Sequence, residues 1–154
     1  MRITTWAEYG LIVVVHLARH GGERPVPARE IAEREGLPPD YVEQILLKLR
    51  RAGLVTSVRG AHGGYFLARP ALEVSVRDVL EAAENRTFEV NCDSYPISGQ
   101  RCSGDTGCSI RPVWRELQRR VDEFLDSVSI QDLLVDEGAV EELFAEHGAG
   151  VPRL

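Results

Sequence analysis

Within residues 39–52, Val42, Ile45, Leu46 and Leu49 recur at i, i+3, i+4 and i+7, and the pattern then changes at once to two short β-prone runs. That change of period limits the fold more than any other feature. A stripe of four apolar residues, with Tyr41, Gln44, Lys48 and Arg51 on another face, predicts an amphipathic helix. The runs that follow, residues 54–59 and 65–68, flank a turn containing Gly60, Gly63 and Gly64, and so predict a β-hairpin.

Upstream, Thr5 to His20 is apolar on nearly every face. Ile12, Val13, Val14 and Val15 would also suit a buried strand, but the length of the segment favours a helix buried on most sides. Residues 21–27 read as a turn or loop. Residues 28–35 read as a short helix ended by Gly36 in a left-handed conformation, after which Leu37, Pro38 and Pro39 restart the chain. Two short helices joined by a glycine-containing turn, the second carrying polar residues outward and followed by a hairpin, have the form of a winged helix-turn-helix. The expected class is mainly α with a small β-hairpin wing.

Charge distribution supports a polyanionic partner for this half, although the net charge is -6. Residues 1–80 hold 11 Lys and Arg against 9 Asp and Glu, whereas residues 81–154 hold 7 against 15. Within residues 38–69, Lys48, Arg50, Arg51, Arg59 and Arg69 face only Asp40 and Glu43. Basic residues are what phosphate binding rewards, but a merely solvated face has the same composition. With 44% apolar and 27% charged residues, the chain has the balance of a globular protein. It shows neither an apolar run of membrane-spanning length nor a signal-type N-terminus, so a cytoplasmic location is expected.

The chain's three cysteines, Cys92, Cys102 and Cys108, fall in one Gly/Ser/Asp-rich stretch. An odd number cannot pair completely within one chain, and gathered thiolates suit a soft metal centre. Structural zinc prefers cysteine pairs two to four apart, which are lacking here, whereas an iron-sulfur cluster accepts wider separations. An iron-sulfur cluster leads on these grounds; zinc and a redox disulfide stay open. His16, His20, His62 and His147 are scattered and form no triad-like group with a Ser or Cys, so no enzyme is expected.

These residues together resemble the Rrf-type winged-helix transcriptional regulators, the family of IscR-like and NsrR-like iron-sulfur sensors. The resemblance rests on Met1-Arg2-Ile3-Thr4, on Val26-Pro27-Ala28 with Ile31-Ala32, on Tyr41-Val42-Glu43-Gln44, on Leu54 to Gly60 with Gly63-Gly64-Tyr65, and on the cysteine stretch. It implies a homodimer that binds a pseudo-palindromic double-stranded DNA operator, and an iron-sulfur cluster, 2Fe-2S ahead of 4Fe-4S. It also implies that the protein represses, or both represses and activates, in response to iron-sulfur, redox or nitric oxide status. The family's loop has about five residues between successive cysteines; here nine separate Cys92 from Cys102. IscR-type members carry a histidine three residues past the last cysteine, where this chain has Arg111, which cannot coordinate iron. By resemblance to NsrR-type members, Glu8 of the other subunit is the leading fourth ligand, with Asp93, Asp105, water or a small thiol as alternatives.

For DNA, the helix beginning near Asp40 is the expected reader. Gln44 suits a bidentate pair with adenine, Tyr41 a phosphate or thymine methyl, and Glu43 can accept from cytosine or repel a wrong base. Lys48, Arg50, Ser57, Arg59 and Gly60 are assigned to backbone or groove anchoring.

Farther along, Ser75 and Asp78 have the spacing of a capping box that opens a helix through Val76, Val79, Leu80 and Ala83. Beyond the cysteines, Ile110, Val113, Trp114, Leu117, Val121, Phe124, Leu125 and Val128 recur at three- and four-residue steps. A long helix pairing with its copy in a dimer is the simpler way to cover that stripe, the alternative being an intramolecular core. The expected organisation is a winged helix-turn-helix domain over residues 1–84, its helix at 5–20 also serving the dimer. A cluster-binding loop follows over 85–108, then a dimerisation helix with a short terminal helix over 109–135, and a mobile tail over 136–154. Two rivals remain: a zinc- or disulfide-based winged-helix regulator, and a small iron-sulfur electron carrier.

Overall fold

The first sixteen helical residues run from Thr5 to His20 as α1. The computed structural model describes residues 3–22, 24–84 and 108–148, with side chains described through Ala145. After α1 come α2 (Ala28–Glu35), α3 (Pro39–Arg51), β1 (Val55–Val58), β2 (Gly64–Leu67) and α4 (Val76–Glu84). Then follow α5 (Ile110–Ser127) and α6 (Glu137–Gly148), with single 3-10 turns at Ala71–Glu73 and Gln131–Leu134. The β-branched run in α1 is helical and its Val13, Val14 and Leu17 are buried, although Ile12 is partly exposed. Gly10 lets α1 approach α4: a Cβ there would stand 3.1 Å from the Cβ of Ala83.

Each turn in this half has a local cause. Gly36 ends α2 with φ 65°, a left-handed conformation that costs glycine little, and the Leu37 N–H returns to the Ala32 carbonyl at 3.0 Å. Pro39 starts α3, where its missing N–H would have had no helical partner. The α3 stripe of Val42, Ile45, Leu46 and Leu49 is then fully buried against α1, α2 and the wing, each side chain contributing about 1.5–3 kcal/mol by area.

The wing is an antiparallel pair in the register Val55↔Leu67, Thr56↔Phe66, Ser57↔Tyr65 and Val58↔Gly64. Val26 adds a third partner, exchanging N–H···O bonds of 2.9 Å with Tyr65. At Gly64 a Cβ would lie 2.5 Å from the Val26 carbonyl carbon, so glycine is what allows the preceding chain to pair with the wing.

The capping box forms reciprocally: the Ser75 N–H donates to Asp78 Oδ2 at 3.1 Å and the Asp78 N–H to Ser75 Oγ at 3.0 Å. After α5 the chain returns to this same place. The Val76 N–H donates to the Val128 carbonyl and the Ile130 N–H to the Val74 carbonyl, both at 2.8 Å. Val128, expected on the stripe of the long helix, instead follows α5 as a buried residue, and Ile130 beyond it joins the winged core. The tail expected to be mobile contains α6 over Glu137–Gly148. Asp136 Oδ1 accepts the Ala139 N–H at 3.0 Å as an N-cap, and Phe144 packs on Phe124 at 5.5 Å between ring centroids. Among the described residues no helix is long and apolar enough to cross a membrane.

Candidate nucleic-acid interface and cysteine segment

Because its apolar stripe is wholly buried, α3 has only one face to offer outward. Asp40, Tyr41, Glu43 and Gln44 are exposed on its first two turns, and no described group hydrogen-bonds to the side chains of Asp40, Glu43 or Gln44. Tyr41 is docked as well as exposed. Its ring lies 4.9 Å from Trp6 and meets Tyr9 edge-on at 5.8 Å, both on α1. Such ring pairs fix the side chain at a small entropy cost on binding.

The wing is tied to the end of the same helix. Arg50 Nη1 donates to Ser57 Oγ at 3.3 Å, bringing together two residues expected at the DNA backbone. Gly60 turns the chain with φ 120°, and the adjoining Arg59 is exposed with no described partner. Elsewhere exposed cations are largely matched within the chain: Arg24 with Glu30, Arg29 with Glu33 and Arg69 with Asp78. The Arg24 hydrogen bond holds the Glu30 carboxyl below its ordinary range. Among the described residues Arg51 and Arg59 are the guanidinium groups near the hairpin without such a partner, which leaves positive charge where a phosphate would approach.

Lys48, expected at the DNA backbone, has its ammonium donating to the Ala83 carbonyl at 2.6 Å and standing 4.1 Å from the centroid of the Trp6 ring. A lysine satisfying the last turn of α4 and facing an aromatic ring is already engaged inside the molecule. Trp6, Ala83 and Glu84 were not assigned to any site from sequence. Their meeting with Lys48 depends on packing between segments far apart in the chain, for which no local pattern exists.

Cys92 and Cys102, with Asp93 and Asp105, lie outside the described residues, and among those described no group of three or more metal-binding side chains assembles. Cys108 is half-buried just before α5, its carbonyl accepting the Arg111 N–H at 3.3 Å. Glu8 is exposed in the first turn of α1, its carboxylate without a described partner. His16 is buried, with Nδ1 2.5 Å from Glu35 Oε1 and its ring 4.6 Å from that of His20. No nucleophile joins them, so the pair ties α1 to α2.

The sequence pattern of the Rrf2 family, described as an iron-dependent transcriptional regulator, matches residues 3–136. The HTH-type transcriptional regulator IscR of Aliivibrio salmonicida (strain LFI1238) is 38% identical over 136 residues, covering 88% of this chain and 79% of the relative. That of Vibrio cholerae serotype O1 is 35% identical over 141 residues, covering 92% and 79%. Among solved structures, T. potens IscR has 32% identity and a TM-score of 0.67, covering 100% of this chain and 94% of that one. CymR (YrzC), the global cysteine regulator of B. subtilis, has 32% identity and a TM-score of 0.71, covering 88% and 99%. With the amphipathic α3, its outward polar face and the wing already in place, the chain belongs to the Rrf2 family and is a winged-helix transcriptional regulator rather than an enzyme.

Proposed function

We propose that the protein is a homodimeric regulator whose affinity for a pseudo-palindromic operator is set by an iron-sulfur cluster, a 2Fe-2S centre, reporting iron-sulfur, redox or nitric oxide status in the cytoplasm. What carries the DNA half is the face of Asp40, Tyr41, Glu43 and Gln44, exposed on a helix whose opposite face is immobilised in the core. A rigid support of that kind is what base-edge contacts in a major groove need. Gln44 reads adenine, Glu43 accepts from cytosine or rejects by repulsion, and Tyr41 meets a phosphate or thymine methyl. Arg59 and Gly60 bring the wing to the backbone or minor groove, braced by Arg50 and Ser57.

The donor set suits the cluster. Cys92, Cys102 and Cys108 supply three soft thiolates, and Cys108 stands at the N-terminus of α5, where the helix dipole favours an anionic ligand. Arg111 has no lone pair to offer, whereas Glu8, without a partner among the described residues of its own chain, is suited to complete the set from the partner subunit. When bound, the cluster supplies one-electron redox and ligand-exchange chemistry. The protein's task is to hold it through a carboxylate that exchanges readily and to convert its presence into a change at α3. Exposed Ile110, Val113, Trp114, Leu117 and Phe124 on α5 support the dimer. A two-fold axis would set two recognition helices about 34 Å apart, one DNA turn.

A cluster-free regulator using a disulfide or zinc is the second reading, favoured by the similarity to CymR, one solved form of which, from Staphylococcus aureus, is described as oxidized. Anaerobic purification with visible absorption, iron and sulfide analysis, and operator titration of apo and loaded protein separates the two. A coloured protein containing iron and sulfide, with unequal operator affinities in the two states, is expected. A colourless, zinc-loaded protein would overturn the cluster, and equal affinities would overturn its control of DNA binding.

A further inference from the structure

Resting on the cluster-dependent function just proposed, we infer that Lys48 is a positioning residue of the recognition helix and the link between that helix and the chain entering the cysteine segment. Four contacts converge around it. The Ala83 carbonyl, near the last described residue of α4, accepts a hydrogen bond from Lys48 Nζ at 2.6 Å. The next residue, Glu84, accepts the Ala7 N–H at 3.3 Å through Oε1 and thereby caps α1, whose N-cap Thr4 makes no side-chain cap bond. Trp6, beside Ala7, carries the Lys48 ammonium 4.1 Å from its ring centroid and the Tyr41 ring at 4.9 Å.

The last two residues of α4 therefore hold two helices at once, α3 through Ala83 and α1 through Glu84, and the chain continues from Glu84 toward Cys92. On the other side, Glu8 follows Ala7 directly. Tyr41 and Lys48 are two helical turns apart on α3 and both rest on Trp6, so this one ring touches the reading end and the anchored end of the helix. A displacement of α4's end or of α1's first turn changes the seat of α3 through polar and ring contacts, while the core stripe stays packed. A ligand alters DNA affinity only through contacts that differ between two protein states, and these are contacts that both proposed ligand-bearing segments adjoin.

The test uses the full-length protein, apo and cluster-loaded, titrated against an operator duplex over a range of salt concentrations. Wild type, Lys48→Met, Lys48→Arg and Trp6→Leu are compared. Wild type should show an apo-to-loaded affinity ratio, in either direction, of about 5 to 150. In Lys48→Met the ratio should collapse toward one while the slope of log affinity against log salt stays as in wild type; Lys48→Arg, which keeps a cationic donor, should recover most of the ratio. Trp6→Leu should repeat the collapse and serves alone if Lys48→Met does not fold. A slope reduced by about 1.8, one phosphate contact from each subunit of the dimer, with the ratio retained would make Lys48 a phosphate contact and overturn the inference. So would a ratio unchanged in both Lys48→Met and Trp6→Leu. A wild-type ratio of one removes cluster control itself, a distinct failure that takes the coupling role with it, and the salt slope then still decides whether Lys48 touches phosphate.

Discussion

Helices α3 and α5 are built on the same apolar spacing and end in opposite conditions. In α3 the four stripe residues are 0% exposed, enclosed by α1, α2 and the wing. In α5 no residue is buried, and Val113 and Trp114 remain 60% and 41% exposed. Period identifies the face a helix has to cover; the number of neighbours its own chain provides decides whether it is covered. Besides the packing of Phe124 on Phe144, α5 is held by polar contacts: Arg77 on α4 donates to Asp126 at 2.8 Å and lies 3.7 Å from Asp122. Its charged face is laced by Arg119 with Glu116 and Glu123 and by Arg120 with Glu116, pairs at helical spacing that support a helix lacking a core of its own.

The sharpest way to break this contrast is to cut into both stripes. Leu46→Ala removes a fully buried side chain and should cost about 2–5 kcal/mol in urea unfolding, a large share of a small domain's stability. Val113→Asp should leave the helical circular dichroism nearly unchanged yet weaken self-association by about tenfold or more in sedimentation, because it places a charge in the uncovered stripe. If Val113→Asp destabilised the protein as much as Leu46→Ala does, or left association unchanged, α5 would not be an incomplete half.

A third substitution tests the outward face of the complete half. Gln44→Ala touches nothing in the core and should leave stability within about 0.5 kcal/mol, while costing about 1–3 kcal/mol of operator discrimination at the base it contacts. Arg59→Ala should weaken specific and non-specific duplexes alike and lower the salt slope by about two, one contact from each subunit. Titrations unchanged in both variants at fixed salt would remove α3 and the wing as the DNA-reading surface.

Legibility in the sequence followed the same division. Helices α1 to α3, the turn at Gly36, the hairpin and the Ser75–Asp78 box depend on neighbours within a few residues, and each was readable as a local pattern. The internal contacts of Lys48 were not legible because helical periodicity put it on the polar face, while the groups it meets, Trp6 and Ala83, come from two other helices. The burial of Val128 and Ile130 escaped for a related reason: the chain after α5 pairs with residues 74–76 across the capping box. The site residues divide likewise. The exposed face of α3 could be listed from sequence, but the bond from Arg50 to Ser57 required the wing's register.

The smallest expected effect sharpens the claim that α5 is held by charge. Hydrogen bonds first from Arg119 and then from Arg120 depress the Glu116 carboxyl from 4.5 to about 2. An unfolded chain would bind this proton near the ordinary value and the folded one only near 2, so the stabilisation is present above about pH 5 and is lost as pH falls toward 2. Both partners are exposed, so the contribution is small and screened by salt. Comparing thermal unfolding of wild type and Glu116→Gln across this range isolates the group from the other carboxylates. Wild type should be slightly the more stable near neutral pH, with the difference shrinking as pH drops and also at high salt. A difference that ignored both pH and salt would mean that Glu116 acts through packing, and that α5 does not depend on its charged face in the way its exposed stripe requires.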